Sequence, residues 1–270
     1  MRALEEAGLK LNLKKCLFNV NSVPFCGRII DGKTKKTKEE SIEKVKRMKK
    51  PFDVHSLRCF TGLTGHFRAF ISKYADIVRP LDRLKQKDVP FEWTEQCEKS
   101  YQQLVDIISQ NPILQSPDSR LPYELCCDAS HYGTGSILYQ RDSTQKKPLQ
   151  LRVIGYQSHT FTKAEQNYTV TEKEGLAVIK AIKYFRGYLE GKQFIVHTDH
   201  QALTYILTLK EPKGRIGRWQ TFLMSYNLRL NHRSGRELVD ADALSRLCPN
   251  TETEVNLVKG VMEGKKYQNR

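Results

Sequence analysis

Tyr123-Glu124-Leu125-Cys126-Cys127-Asp128-Ala129 is an apolar run that closes on an acid, and Phe194-Ile195-Val196-His197-Thr198-Asp199 repeats the pattern. Between them lie strand-like runs at 135–140 and 151–159, then a long helical pattern over 171–189. Helical stretches come next at 202–209 and 215–225, with a strand at 228–232 and a last helix at 240–247. Strands that come first as consecutive hairpins and then interleave with helices predict a mixed sheet with helices packed on it, an α/β domain.

Upstream the character changes. Val23, Phe25 and Gly27 lie in an apolar stretch that breaks at Asp31-Gly32, which predicts a short strand pair. A lysine-dense segment comes after it, and Pro51 stops the helix that carries Ile42, Val45 and Met48. Leu57, Phe60, Leu63, Phe67 and Phe70-Ile71 recur at helical spacing and predict one apolar helix face. A second helix is expected over 95–109, bearing Tyr101, Leu104, Ile107 and Ile108. Two prolines and several turn formers between Gln115 and Pro122 place a domain boundary there. The expected division is therefore 1–115, 122–248 and a polar tail, 249–270.

The 270 residues carry 45 Lys+Arg against 30 Asp+Glu, a net charge of +15. Such an excess favours a polyanionic partner, because basic side chains release counterions from a phosphate backbone. No apolar run is long enough for a membrane helix, and the charged, amphipathic first residues are unlike a secretory signal. A soluble, intracellular protein is expected. The seven cysteines form no CxxC pair and no regular framework, which predicts reduced, packed thiols.

The acids of the second domain carry the chemistry. Asp128 and Asp199 each end an apolar strand, where a carboxylate is costly to bury without a partner. The alternative for each is a turn aspartate capping the next loop or helix. Val178, Ala181, Ile182, Phe185 and Leu189 form one helical stripe, and Glu174 lies one turn ahead of Val178 on it. Glu172 points nearly opposite, and Thr169-Val170-Thr171-Glu172 fits a capping box. A rival box, Thr171-Glu172-Lys173-Glu174, would reduce Glu174 to a cap. Asp242 begins the last helix beside Asp240, and either could be the N-cap and the other the functional group. Four acids converging on one sheet end would repel unless divalent cations neutralised them, and hard carboxylate oxygens select Mg²⁺ or Mn²⁺. Such a two-metal site hydrolyses phosphodiesters. The sequence holds no GxSxG elbow, GxxxxGK[ST] loop or HExxH helix.

Several of these stretches together resemble a known family. Asp128-Ala129-Ser130 with Gly133, Gly135, Leu138 and Gln140, Thr171-Glu172-Lys173-Glu174 with Leu176-Ala177-Val178, and Thr198-Asp199-His200-Gln201-Ala202-Leu203 succeed one another in family order. Gly214-Arg215-Ile216, Arg218-Trp219, His232-Arg233-Ser234-Gly235 and Ala241-Asp242-Ala243-Leu244-Ser245-Arg246 continue it. From about residue 8 to 247 the chain is similar to the Pol polyprotein of gypsy-type LTR retrotransposons, from the end of the reverse transcriptase through its RNase H domain. The resemblance implies an RNase H-like, five-stranded mixed sheet with helices, preceded by a mainly helical thumb and connection segment. It implies cleavage of the RNA strand of RNA–DNA hybrids with two Mg²⁺ ions, Mn²⁺ being a substitute. On matching positions Asp128, Glu174, Asp199 and Asp242 would be the metal-binding carboxylates. His232 stands where related retroviral domains carry a loop histidine for proton or product handling, with a solvated histidine as the plain alternative.

Upstream, Cys16-Leu17-Phe18, Phe25-Cys26-Gly27, Leu57-Arg58-Cys59-Phe60-Thr61-Gly62-Leu63, Phe67-Arg68-Ala69-Phe70-Ile71 and Phe91-Glu92-Trp93-Thr94 are similar to the thumb and connection. A basic thumb would hold a template–primer duplex by its phosphates through Lys44, Lys46, Arg47, Lys49 and Lys50, the alternative being a solvated helix face. The remainder of a Pol polyprotein would be a further partner. The retrotransposon particle or the nucleus joins the cytoplasm as an expected location. No Asp-Asp pair occurs, so the polymerase motif Tyr-x-Asp-Asp is absent and no polymerisation is expected of this stretch alone. Gly175 replaces the leucine usual after the motif glutamate, at a helix cost of about 1 kcal/mol. Leu238 stands for a usual asparagine, and Cys126-Cys127 for commoner strand residues. A non-catalytic nucleic-acid-binding remnant of a degenerate element is the alternative function.

Overall fold

A computed structural model describes residues 2–141, 151–198, 206–207, 209–211 and 213–232. After a short helix α1 (Arg2–Glu6), three strands form an antiparallel meander, β1 (Ser22–Phe25), β2 (Arg28–Asp31) and β3 (Thr34–Thr37). Cys26 and Gly27, at φ 47° and 76°, form the left-handed two-residue turn that joins β1 to β2. Asp31 closes the next turn by accepting from the Lys33 amide at 2.8 Å and the Thr34 hydroxyl at 2.7 Å. A two-residue strand β4 (Leu114–Gln115) pairs with β3, so the expected strand pair is a four-stranded sheet. Thr34-Lys35-Lys36-Thr37 has no apolar alternation by which a strand could be read.

Four helices come next: α2 (Glu39–Arg47), α3 (Val54–Gly65), α4 (Tyr74–Arg83) and α5 (Glu95–Ser109). Asp53 caps α3 in a reciprocal box with Ser56, and Thr94 caps α5. The single apolar helix face expected from Leu57 to Ile71 is broken: α3 ends at Gly65, and Arg68–Phe70 form a 3₁₀ turn. Phe60, Phe67 and Ile71 still enter one core with Val45, Leu81 and Leu104, because the turn returns the chain to the same side. Helix α4 has no clear sequence signature, since Pro80 lies inside it.

The second sheet has the order β7-β6-β5-β8-β9, with β5 (Tyr123–Ala129), β6 (Gly133–Arg141), β7 (Leu151–Thr160), β8 (Phe194–Thr198) and β9 (Leu228–His232). Strands β5, β6 and β7 are antiparallel neighbours, whereas β8 runs parallel to both β5 and β9. The mixed α/β sheet is thus the one the strand pattern predicted. Gly133 is obligatory, since a Cβ there would stand 2.5 Å from the His159 carbonyl oxygen. Behind a short helix α6 (Lys163–Gln166), α7 (Val170–Tyr184) crosses the sheet, and its Ala177, Val178, Ala181 and Ile182 pack on Leu125, Leu138 and Val196. The helix expected over 171–189 divides at Phe185, beyond which α8 (Arg186–Leu189) is a single turn. Helix α9 (Gly214–Met224) lies against α7 through Trp219 and Leu223.

A third apolar cluster, Ala69, Phe70, Leu114 and Tyr156, joins the first sheet and its helices to the outer strands of the second. The six described cysteines form no disulfide; Cys97, Cys126 and Cys127 are packed as expected, but Cys26 and Cys59 are exposed. Among the described residues no helix is long and apolar enough to cross a membrane. The predicted helices at 202–209 and 240–247 lie wholly or mostly outside the described residues, as does the tail from 249.

Candidate active site

Asp128 is the penultimate residue of β5 and pairs across to Gly135 of β6. Side chains alternate along the strand, so Tyr123, Leu125 and Cys127 enter the core under α7. Asp128 emerges half-exposed at the strand's end, where a carboxylate costs least to desolvate. Glu174 is buried at 5% exposure in the second turn of α7, one turn ahead of Val178 on the core stripe. The capping competition is decided by geometry. Glu172 receives the Thr169 amide at 3.0 Å and its own amide donates to the Thr169 hydroxyl at 3.2 Å, so Glu172 is the cap and Glu174 is released from that role.

The two acids share a neighbour. Burial pushes the Cys127 thiol well above its ordinary range, and the nearby charges of Cys126, Glu174 and Asp128 push it in the same direction. Cys127 is therefore a protonated packing residue, and the ligating atoms left at this strand end are carboxylate oxygens. That donor set suits a hard divalent cation such as Mg²⁺ or Mn²⁺ and offers no thiolate to a softer one. Among the described residues no group of three or more His, Cys, Asp or Glu gathers as a metal site. Asp199 and Asp242, the other two acids predicted to bind metal, lie outside the described residues.

His232 is exposed at the end of β9, directly across from Thr198 in the parallel register. It therefore stands at the same strand end as Thr198. The basic cluster is split. Lys46 and Arg47 pair with Glu43 at 3.1 Å and 3.8 Å, and Lys50 pairs with Glu98 and lies 5.3 Å over the Trp93 ring. Lys44 and Lys49 are exposed, while Ile42 and Val45 bury the other face of α2.

The contribution of the upstream helices here has no counterpart in the sequence pattern. Helix α4 docks against the turn that follows Asp128. The Ser130 hydroxyl donates to Asp76 at 3.2 Å, and the Ala75 amide donates to the Ser158 hydroxyl at 3.1 Å. Arg68 donates to the Ser158 carbonyl at 2.6 Å, and the Arg79 guanidinium lies 3.2 Å over the ring of Tyr132. Lys73, the N-cap of α4, brings its ammonium to 3.6 Å from an Asp128 carboxylate oxygen. Strand position marks acids at strand ends, but a lone lysine in a loop carries no local signal of a partner dozens of residues away.

The five-stranded order, with an acid at the end of its central strand and a second acid on the crossing helix, defines an RNase H-like domain. Residues 118–226 match the family described as the RNase H-like domain found in reverse transcriptase. The relatives that the chain matches are retrotransposon Pol polyproteins. The chain is 34% identical to the retrovirus-related Pol polyprotein from transposon 412 of Drosophila melanogaster, over 90% of this chain and 19% of that protein. It is 35% identical to the transposon Tf2-3 polyprotein of Schizosaccharomyces pombe, over 93% of this chain and 19% of that protein. The chain thus spans about a fifth of the length of these relatives. In fold it is similar to the foamy viral protease-reverse transcriptase in complex with RNA/DNA hybrid, with TM-score 0.64 and 21% identity over 82% of this chain and 30% of that one.

Proposed function

We propose that the chain is the nuclease end of a retrotransposon reverse transcriptase, a metal-dependent endonuclease that hydrolyses the RNA strand of RNA–DNA hybrids. The observation that carries the proposal is the placement of Asp128 at the end of the central strand and of buried Glu174 on the helix that crosses the same sheet. Residues 122–248 would form the nuclease, and 1–115 the thumb and connection that hold the duplex. Asp128 and Glu174, together with Asp199 and Asp242, would hold two Mg²⁺ or Mn²⁺ ions. Such ions, when bound, supply Lewis acidity to the scissile phosphate and its leaving oxygen.

The chain's own residues set the stage. Glu174, fixed on a rigid helix, keeps a carboxylate at one constant position; Asp128, half-exposed, meets the solvent side from which the nucleic acid would approach. His232, across from Thr198, would accept or pass a proton at the strand end. Lys44 and Lys49, together with Lys46, Arg47 and Lys50, would meet backbone phosphates, which position a duplex without reading its sequence. The solved foamy viral relatives were captured with RNA/DNA hybrid and with double-stranded DNA, which supports a duplex partner here. The kinship with Pol polyproteins supports a place inside the cell beside the rest of such a polyprotein. The test is cleavage of a 5′-labelled RNA–DNA hybrid in Mg²⁺, with single-stranded RNA as control. Cutting confined to the hybrid and lost in Asp199→Asn is expected. Salt-sensitive binding without cutting would overturn the nuclease and leave a binding module.

A further inference from the structure

The contact between Lys73 and Asp128 joins two parts of the chain that local sequence does not connect. Lys73 belongs to the upstream helical part, and its backbone is held in place. Its carbonyl accepts from the Asp76 amide at 2.9 Å and the Ile77 amide at 3.2 Å, while Ala75 and Asp76 are tied to Ser158 and Ser130 of the second sheet. Lys73 itself adopts φ 51°, a left-handed conformation at the start of α4. Its stem lies over Gly135, the residue paired with Asp128: Lys73 Cγ is 3.6 Å from where a Gly135 Cβ would stand. The ammonium thus reaches Asp128 over a position that has no side chain to obstruct it.

We propose that Lys73 is a positioning residue of the nuclease site. Its ammonium is the counterion of Asp128 while the acids hold no metal, and it yields that carboxylate when a divalent ion binds. The affinity of the site for metal is then set partly by how α4 docks, which makes the upstream helices part of the site as well as a grip on the duplex. The inference rests on the metal-dependent nuclease reading above. An ammonium and a divalent cation compete for the same oxygen, so removing the ammonium strengthens metal binding at the expense of the metal-free chain.

The experiment is Mn²⁺ binding to the full chain, read by the electron paramagnetic resonance signal of the unbound ion, together with melting in the absence and presence of Mn²⁺. Lys73→Gln and Lys73→Met should each bind Mn²⁺ more tightly, by roughly three- to tenfold for a half-exposed pair at this distance. Both should melt earlier without metal and gain more on adding it. Lys73→Arg, which keeps the charge, should behave like the parent. A merely structural lysine would lower both melting temperatures and leave the affinity unmoved or weaker, and that outcome overturns the proposal. The two readings fail differently. If the parent chain binds no Mn²⁺ in an Asp128-dependent way, the nuclease reading falls and this inference with it. If binding is lost in Asp128→Asn yet equal in Lys73→Gln and the parent, only the inference falls.

Discussion

Gly175 of α7 packs directly against Trp219 of α9: a Cβ on Gly175 would stand 3.2 Å from Trp219 Cζ3 and 3.2 Å from Ile206 Cδ1. The glycine beside Glu174 is therefore an accommodation to the tryptophan. Gly175→Ala gains about 1 kcal/mol of helix propensity, but overpacking a tight core contact costs about 1–3 kcal/mol, so a net loss is expected. Chemical denaturation measures it. In a double-mutant cycle with Trp219→Leu the penalty should shrink by about 1 kcal/mol or more, since the crowding atoms are gone.

Asp128→Asn and Glu174→Gln keep size and hydrogen-bonding shape while removing the charge that would hold metal. Each should lower hybrid cleavage at least about 100-fold, equivalent to about 2.7 kcal/mol of barrier, with circular dichroism unchanged. Retention of full cleavage in either would remove that residue from the site.

The buried polar group on the face of β5 turned away from α7 is structural. Glu124 sits 2.6 Å from His197 and 3.0 Å from Arg141, and Tyr139 donates to it at 3.1 Å. Burial pushes the Glu124 carboxyl up, but His197, Arg141 and Tyr139 outweigh it and hold the group below its ordinary value. His197→Phe leaves that carboxylate short of a partner and should cost about 1–3 kcal/mol by denaturant titration. Glu124→Leu combined with His197→Phe should cost less than the sum of the two single changes.

Glu165 gives the pH dependence its sign. Burial raises its carboxyl, but the Thr162 amide at 2.8 Å and His159 at 3.0 Å outweigh burial and hold it at about 2, against an ordinary 4.5. A group depressed in the folded state stabilises above its unfolded value and loses that contribution as pH falls through the folded one. The melting temperature should therefore decline from about pH 4.5 toward about 2, and Glu165→Gln should flatten that part of the curve. A parent curve already flat there would count against the Thr162–His159 cage.

The split of the basic cluster separates binding from stability. Lys44→Ala and Lys49→Ala should each reduce the salt slope of hybrid binding by about 1, with stability little changed. Lys50→Ala should instead lower stability more than either of those changes, because it abandons the Glu98 carboxylate and the Trp93 ring. Equal salt slopes for all three variants and the parent would leave α2 as a solvated face.

Local pattern was enough to determine β5, β8, β9 and α5, since an alternating or helical run of apolar residues reports its own period wherever it is folded. It also determined that Glu174 rides the core stripe of α7 and that Thr169 with Glu172 could cap it, because both depend only on residues within one or two turns. What the tertiary structure decided are relationships between distant residues: the pairing of β3 with β4, the close approach of Trp219 to Gly175, the persistence of α4 through Pro80, and the meeting of Lys73 with Asp128. None of these has a local period. Each depends on which surfaces the assembled sheet and helices bring within a few ångströms, and packing, rather than propensity, selects among them.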